Sequence, residues 1–144
     1  NAEVLKAMSE TDIVAEQFIG GAFGYTAAEA WAMGKPVLTY VRDPSVTPSW
    51  DDFPALSANP DELYDTLKRL AAGVYDLPAV GKASRRYAEA HYSLEAVAIN
   101  LGKLYLETGN LEPKTSAIIK ANLEAVKVLL ALRLERALPS SDNS

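Results

Sequence analysis

Three glycines within five residues, Gly20, Gly21 and Gly24, stand between two apolar runs and constrain the fold of this chain more than any other feature. Ile13-Val14-Ala15, ahead of them, reads as a buried strand, and Val37-Leu38-Thr39-Tyr40-Val41, behind them, reads as the next one. Between the glycines and the second strand, Tyr25 to Met33 has helical character. Gly34 then occupies the position that a helix C-terminal cap requires, and Lys35-Pro36 ends the turn. The order strand, glycine loop, helix, strand predicts an α/β fold with parallel strands.

The chemistry open to such a unit is specific. Glycines allow sharp backbone turns and let a ligand approach the main chain closely. The first amides of the helix, near Tyr25, Thr26 and Ala27, lack intrahelical acceptors and carry the positive end of the helix dipole, so they suit a phosphate. Glu29 follows one turn later, and helix side chains lean toward the N-terminus, so its carboxylate can lie near whatever those amides bind. A carboxylate can accept two hydrogen bonds from the vicinal diol of a ribose. An ordinary surface glutamate near a helix start has the same sequence signature, because the dipole favours it there. No lysine–hydroxyl pair follows the glycines, so the loop is not a P-loop. Glu16 and Gln17 end the first strand, where open α/β sheets place ligand groups, and Arg42 follows the second.

The run Phe23-Gly24, Glu29-Ala30, Ala32, Gly34-Lys35-Pro36-Val37 resembles the donor-site segment of the family 4 retaining glycosyltransferases, which have the GT-B fold. The resemblance extends over roughly Ala2 to Asn110 and is most specific from Gly24 to Val37. It implies that residues 1–110 are part of a C-terminal, Rossmann-like nucleotide-sugar-binding domain. In that family a Glu-seven-residues-Glu motif contacts the donor, and its second Glu binds the ribose; Glu29 matches it. The first Glu, which contacts the donor sugar, would fall at Gly21 and is missing. The implied donor contacts are Gly24, Tyr25, Thr26, Ala27 and Glu29, with Gly21, Glu16 and Gln17 as further candidates. No metal and no cofactor other than the nucleotide-diphosphate sugar substrate is implied. The basic pair that holds the diphosphate, and with it the main catalytic groups, would lie upstream of Asn1. The expected activity is retaining sugar transfer to an acceptor, with this piece inactive alone. The alternatives are a non-transferring nucleotide-sugar enzyme such as an epimerase, or a binding or scaffold domain that kept the fold and lost the site.

Size and charge narrow the classes. The chain has 144 residues, the size of one ordinary domain, and a net charge of -5, which argues against nonspecific nucleic-acid binding. It has no cysteine, which excludes disulfides and thiolate metal sites and fits a reducing, cytoplasmic compartment. No apolar run is long enough to span a bilayer, which leaves peripheral membrane association of the parent protein open. The chain opens on Asn1, inside a helical pattern, and reads as a piece of a longer protein whose N-terminal part would be its partner.

Elsewhere the sequence predicts mainly helices. Val4, Leu5 and Met8 give Ala2–Ser9 a helical spacing. Arg42 to Phe53 is a long Pro-containing loop, and Pro54–Ala58 is a short strand candidate. Asn59-Pro60-Asp61-Glu62 is a capping-box start for a helix that buries Leu63, Leu67 and Leu70 and ends at Gly73. A further helix from Leu77 to Ala90 has a solvated side bearing Lys82, Arg85, Arg86 and Glu89. Ser93 caps a helix to Glu107 with Leu94, Val97, Ala98, Leu101 and Tyr105 at core spacing. Pro113–Ala137 is an amphipathic helix, set apart as residues 111–138, whose stripe Ile119, Leu123, Val126 and Leu130 could mediate self-association. Residues 139–144 read as a disordered tail. Asp51 and Asp52 read as solvated acids, His91 as a helix-joining residue, and Trp31 and Trp50 as core and loop packing.

Overall fold

The computed structural model describes residues 2–109 and 111–137, and only the backbone of residues 46, 136 and 137. The expected tail at 139–144 lies outside the described residues. The chain divides into two compact units, Asn1–Ala88 and Glu89–Ser144.

The first unit is mixed α/β. Helix α1 (Ala2–Ser9) precedes strand β1 (Val14–Ala15), which leads through the glycine loop into α2 (Tyr25–Ala32) and β2 (Val37–Thr39). Strand β3 (Leu56–Ser57) follows, then α3 (Leu63–Ala71) and α4 (Leu77–Tyr92), whose last turn crosses into the second unit. The sheet has the order β1-β2-β3 and is parallel throughout, with Val14 opposite Val37 and Leu38 opposite Leu56. Each strand is two or three residues long. β2 is central and fully buried, as its Val-Leu-Thr run requires.

Helix α2 ends as its sequence predicts. Gly34 has φ +71°, its amide donates to Trp31 O at 2.9 Å, and the Lys35 amide donates to Ala30 O at 2.9 Å. This pair of bonds is a Schellman motif, and the left-handed residue between them has to be one without a Cβ penalty. Lys35 then ties the turn to α1, its ammonium donating to Ser9 O at 2.8 Å and Thr11 O at 2.7 Å. The turn also receives α4. A Cβ on Gly81 would overlap the Gly34 carbonyl oxygen, and the Arg85 guanidinium donates to Ala32 O. Two helices and the sheet thus converge on residues 32–36.

The core of this unit is aromatic. Trp31, fully buried, meets Phe23 edge-on at 4.9 Å, Phe53 at 5.5 Å and Tyr87 at 5.5 Å between ring centroids. Trp50 stacks on Phe53 at 4.8 Å. Tyr87 Oη donates to Pro48 O at 2.5 Å. The segment from Arg42 to Phe53 is therefore no open loop. It makes two 3-10 turns, Pro44–Val46 and Trp50–Asp52, and is anchored through Phe53 and Trp50 to the Trp31 cluster.

Two expectations for α3 and α4 are corrected. The capping box forms, with Asn59 Oδ1 accepting the Asp61 and Glu62 amides at 2.9 Å and Glu62 Oε2 accepting the Asn59 amide at 3.3 Å. It closes a turn one step ahead of α3 rather than its first helical turn, and Leu67 is exposed while Leu63 and Leu70 are half-buried. Glu89, expected on the solvated side of α4, is buried.

The second unit contains α5 (Leu94–Thr108) and α6 (Pro113–Ala137), an antiparallel helical hairpin. Ser93 caps α5 by accepting the Ala96 amide at 3.2 Å. Near the middle of the pair a Cβ on Gly102 would lie 2.7 Å from Leu123 Cδ2. Near its end Arg133 pairs with Glu95 at 2.9 Å. The residues expected to form the α5 core are outside: Leu94, Val97, Ala98, Leu101 and Tyr105 are exposed, whereas Ala96 and Ile99 are buried. Close approach at Gly102 puts the small side of α5 in the contact and turns its bulky side out. On α6 the stripe of Ile119, Leu123, Val126 and Leu130 faces inward, with Leu123 buried and the others half-buried. It packs within the hairpin and is not the free surface that self-association through it requires. α5 pairs with α6, and the two compact units part at Ala88–Glu89.

Candidate functional site

The glycine loop leaves the C-terminal end of β1 and enters α2 at Gly24, the N-cap residue, whose backbone is extended. The loop is held from below by the two polar residues that end the strand. Glu16 Oε1 accepts the Gly24 amide at 2.6 Å, and Gln17 Oε1 accepts the Gly20 amide at 2.6 Å. Thr39, fully buried in β2, has its hydroxyl 3.2 Å from both Glu16 Oε2 and Gln17 O. The C-terminal ends of β1 and β2 are thereby joined to the head of α2 through one carboxylate. Sequence reasoning missed Thr39; a hydroxyl in the middle of an otherwise apolar strand was the available signal.

Arg42 closes the other side. Its amide donates to Gly21 O at 2.9 Å, and its Nη2 donates to Ile19 O at 3.3 Å. Gly21 is buried with φ +79°, and a Cβ there would lie 2.7 Å from Arg42 Cβ and 3.1 Å from Arg42 Nε. The position where the family resemblance calls for a glutamate therefore has neither the backbone conformation nor the space that a side chain needs.

The structure brings Glu16, Gln17, Gly21, Gly24 and Arg42 together at one end of the parallel sheet. Tyr25 and Thr26, the first residues of α2, are exposed, Tyr25 by 91%. Ala27 is fully buried, and Glu29 is half-buried one turn into the helix. Asp51 and Asp52 are exposed in the second 3-10 turn, and among the described residues there is no group of three or more His, Cys, Asp or Glu that could hold a metal ion. His91 is half-buried in the last turn of α4. Among the described residues no helix is long and apolar enough to cross a membrane.

Chemically, the head of α2 offers amide donors with the Glu16 carboxylate at Gly24, and the Arg42 guanidinium lies against Gly21 and Ile19 of the same loop. The carboxylate of Glu16 is already engaged with Gly24, so an anion that approaches these amides meets a fixed negative charge as well as the helix dipole. No protein-family model, curated protein or solved structure matches the chain.

Proposed function

We propose that the chain is part of the donor-binding domain of a retaining glycosyltransferase of the GT-B type, which transfers a sugar from a nucleotide-diphosphate sugar. The observation that carries this reading is the β1–glycine loop–α2–β2 unit: a parallel pair with Gly24 as N-cap and Glu29 one turn on. Open parallel sheets bind ligands outside the carboxyl ends of their strands, which is where this loop stands. The Tyr25–Ala27 amides would face the diphosphate and offset the charge that develops as it leaves. Glu29 would accept from the two ribose hydroxyls.

Calorimetric titration of nucleoside diphosphates tests the reading. Glu29→Gln keeps an acceptor oxygen and removes the charge, which should weaken binding by about 1.5–3 kcal/mol, or roughly ten- to a hundredfold. A dideoxyribose nucleotide should bind the wild type with a similar loss and the variant with little further loss, since both changes delete one interaction. Equal affinities for both proteins would make Glu29 a structural residue.

A second reading, a scaffold domain without transfer activity, is favoured by the fit of Arg42 against Gly21 and by the carboxylate of Glu16 at the Gly24 amide. Absence of nucleotide binding by folded wild-type protein would decide for it.

A further inference from the structure

Arg42 brings a fixed positive charge to the glycine loop. Its amide donates to Gly21 O at 2.9 Å, and its side chain folds back over Gly21, where a Cβ would lie 3.1 Å from Nε and 3.4 Å from Cζ. Its Nη2 donates to Ile19 O at 3.3 Å. These contacts set where the guanidinium stands without neutralising it. A guanidinium has five N–H donors, and a single carbonyl engages one of them. Among the described residues no carboxylate pairs with Arg42. Glu16 is engaged by Gly24 and Thr39, and Asp43, the next residue in the chain, turns its carboxylate to Ser45. Arg42 and Ile19 are both exposed, so the other donors are open to a ligand that approaches the loop.

We infer that Arg42 selects a donor whose sugar carries a carboxylate, a uronosyl rather than a neutral hexosyl nucleotide, which rests on the donor-binding reading above. The order of parts in a nucleotide sugar gives the direction. With the ribose at Glu29, one turn into α2, and the diphosphate at the amides of its head, the sugar follows on the side away from Glu29. That side is the loop that precedes α2, where Gly21 and Arg42 stand. A carboxylate there accepts two parallel N–H bonds from the guanidinium fork, shorter and stronger than a bond to a neutral acceptor. A neutral hexose brings only hydroxyls, and its hydroxyl protons call for a protein acceptor. Gly21 supplies none, because its φ of +79° and the Arg42 side chain exclude any side chain from that position. The charge at the loop therefore suits an anionic sugar and gives a neutral one little to bind.

Calorimetry on the full chain tests this, first with UDP, GDP and ADP, and then with the glucosyl and glucuronosyl esters of the one that binds tightest. The two esters differ only at C6, hydroxymethyl against carboxylate. The wild type should bind the glucuronosyl ester about five- to tenfold tighter, the span from an exposed ion pair to a bidentate one. The ratio should narrow as salt is raised. Arg42→Gln keeps the backbone bond to Gly21 and an amide donor for Ile19 O but removes the charge, and the ratio should fall to about one. Arg42→Lys keeps the charge without the fork and should retain part of the preference. A wild type that binds both esters alike overturns the inference, and the donor-binding reading survives it, since the diphosphate still binds. Equal weakening of the diphosphate and both esters by Arg42→Gln also overturns it, with Arg42 then a contact to the diphosphate. No binding of any of the three diphosphates by folded protein removes the reading and the inference together.

Discussion

Glu16 and Gly24, eight residues apart, meet at 2.6 Å, carboxylate oxygen to amide, at the head of α2. The same carboxylate reaches the buried Thr39 hydroxyl through its other oxygen. A negative charge thus stands where the proposed ligand brings its own. Two unit charges 4 Å apart repel by about 1 kcal/mol in water and about 4 kcal/mol near a protein surface.

Glu16→Gln should therefore tighten diphosphate binding while the loop stays closed, because the amide oxygen still accepts from Gly24 and the amide nitrogen can donate to Thr39. Glu16 is half-buried, so the gain lies toward the lower figure, about five- to thirtyfold. It should shrink as salt is raised. A nucleoside without phosphates should bind both proteins alike. Calorimetry at two ionic strengths checks this, and an unchanged diphosphate affinity would remove Glu16 from the site's electrostatics.

Gly81→Ala should destabilise the first unit. Alanine is favoured over glycine inside a helix by about 1 kcal/mol. The added methyl, however, meets the Gly34 carbonyl oxygen, which belongs to a backbone fixed by two Schellman bonds and cannot swing aside. Overpacking of this kind costs about 1–3 kcal/mol. The steric cost should prevail, for a net loss of up to about 2 kcal/mol in urea unfolding, read as a lower midpoint at constant slope. A variant more stable than wild type would show that α4 can slide away from this turn.

Asp43 Oδ1 accepts the Ser45 hydroxyl at 2.7 Å and the Ser45 amide at 2.9 Å, and these bonds hold its carboxyl below the ordinary aspartate range, the hydroxyl bond contributing most. A depressed folded-state value means that the bonds favour the 3-10 turn above the unfolded value of about 3.9. The contribution is lost as pH falls through the lower folded value. Ser45→Ala should move the Asp43 carboxyl back up toward about 3.9 in an NMR titration. The amide bond should retain part of the depression.

The elements that were legible in the sequence are those with local punctuation. Gly34 and Gly73 stop their helices with left-handed backbone, Ser93 caps α5, α1 ends at Ser9 and α6 begins at Pro113, as the sequence predicts. The inward face of α5 was not legible, because the helix carries apolar residues at helical spacing on two sides. Periodicity cannot choose between Leu94-Leu101-Tyr105 and Ala96-Ile99; Gly102, which lets α6 approach, does. In the candidate site, the loop and its helix could be read from glycines. The parts played by Glu16, Thr39 and Arg42 depend on strand pairing, which brings residues more than 20 apart into contact.

Gly21 sets the last prediction, because two separable effects exclude a side chain there. Its φ of +79° costs an L-residue about 1–2 kcal/mol, and a Cβ would lie 2.7 Å from Arg42 Cβ, an overlap costing about 1–3 kcal/mol. Gly21→Ala should therefore lose about 2–5 kcal/mol in urea unfolding, the sum of the two effects. The overlap is with the Cβ of Arg42, so truncation to alanine does not relieve it and removal of the Cβ does. Paired with Arg42→Gly, Gly21→Ala should recover the overlap cost of about 1–3 kcal/mol in a double-mutant cycle, while paired with Arg42→Ala it should recover close to none. The conformational cost at φ +79° should persist in both backgrounds. Gly21→Glu should follow the same pattern with a larger loss, so a glutamate placed there reaches no donor sugar without first rebuilding the loop. Equal recovery from the two Arg42 variants would instead assign the constraint to the guanidinium and its bond to Ile19 O.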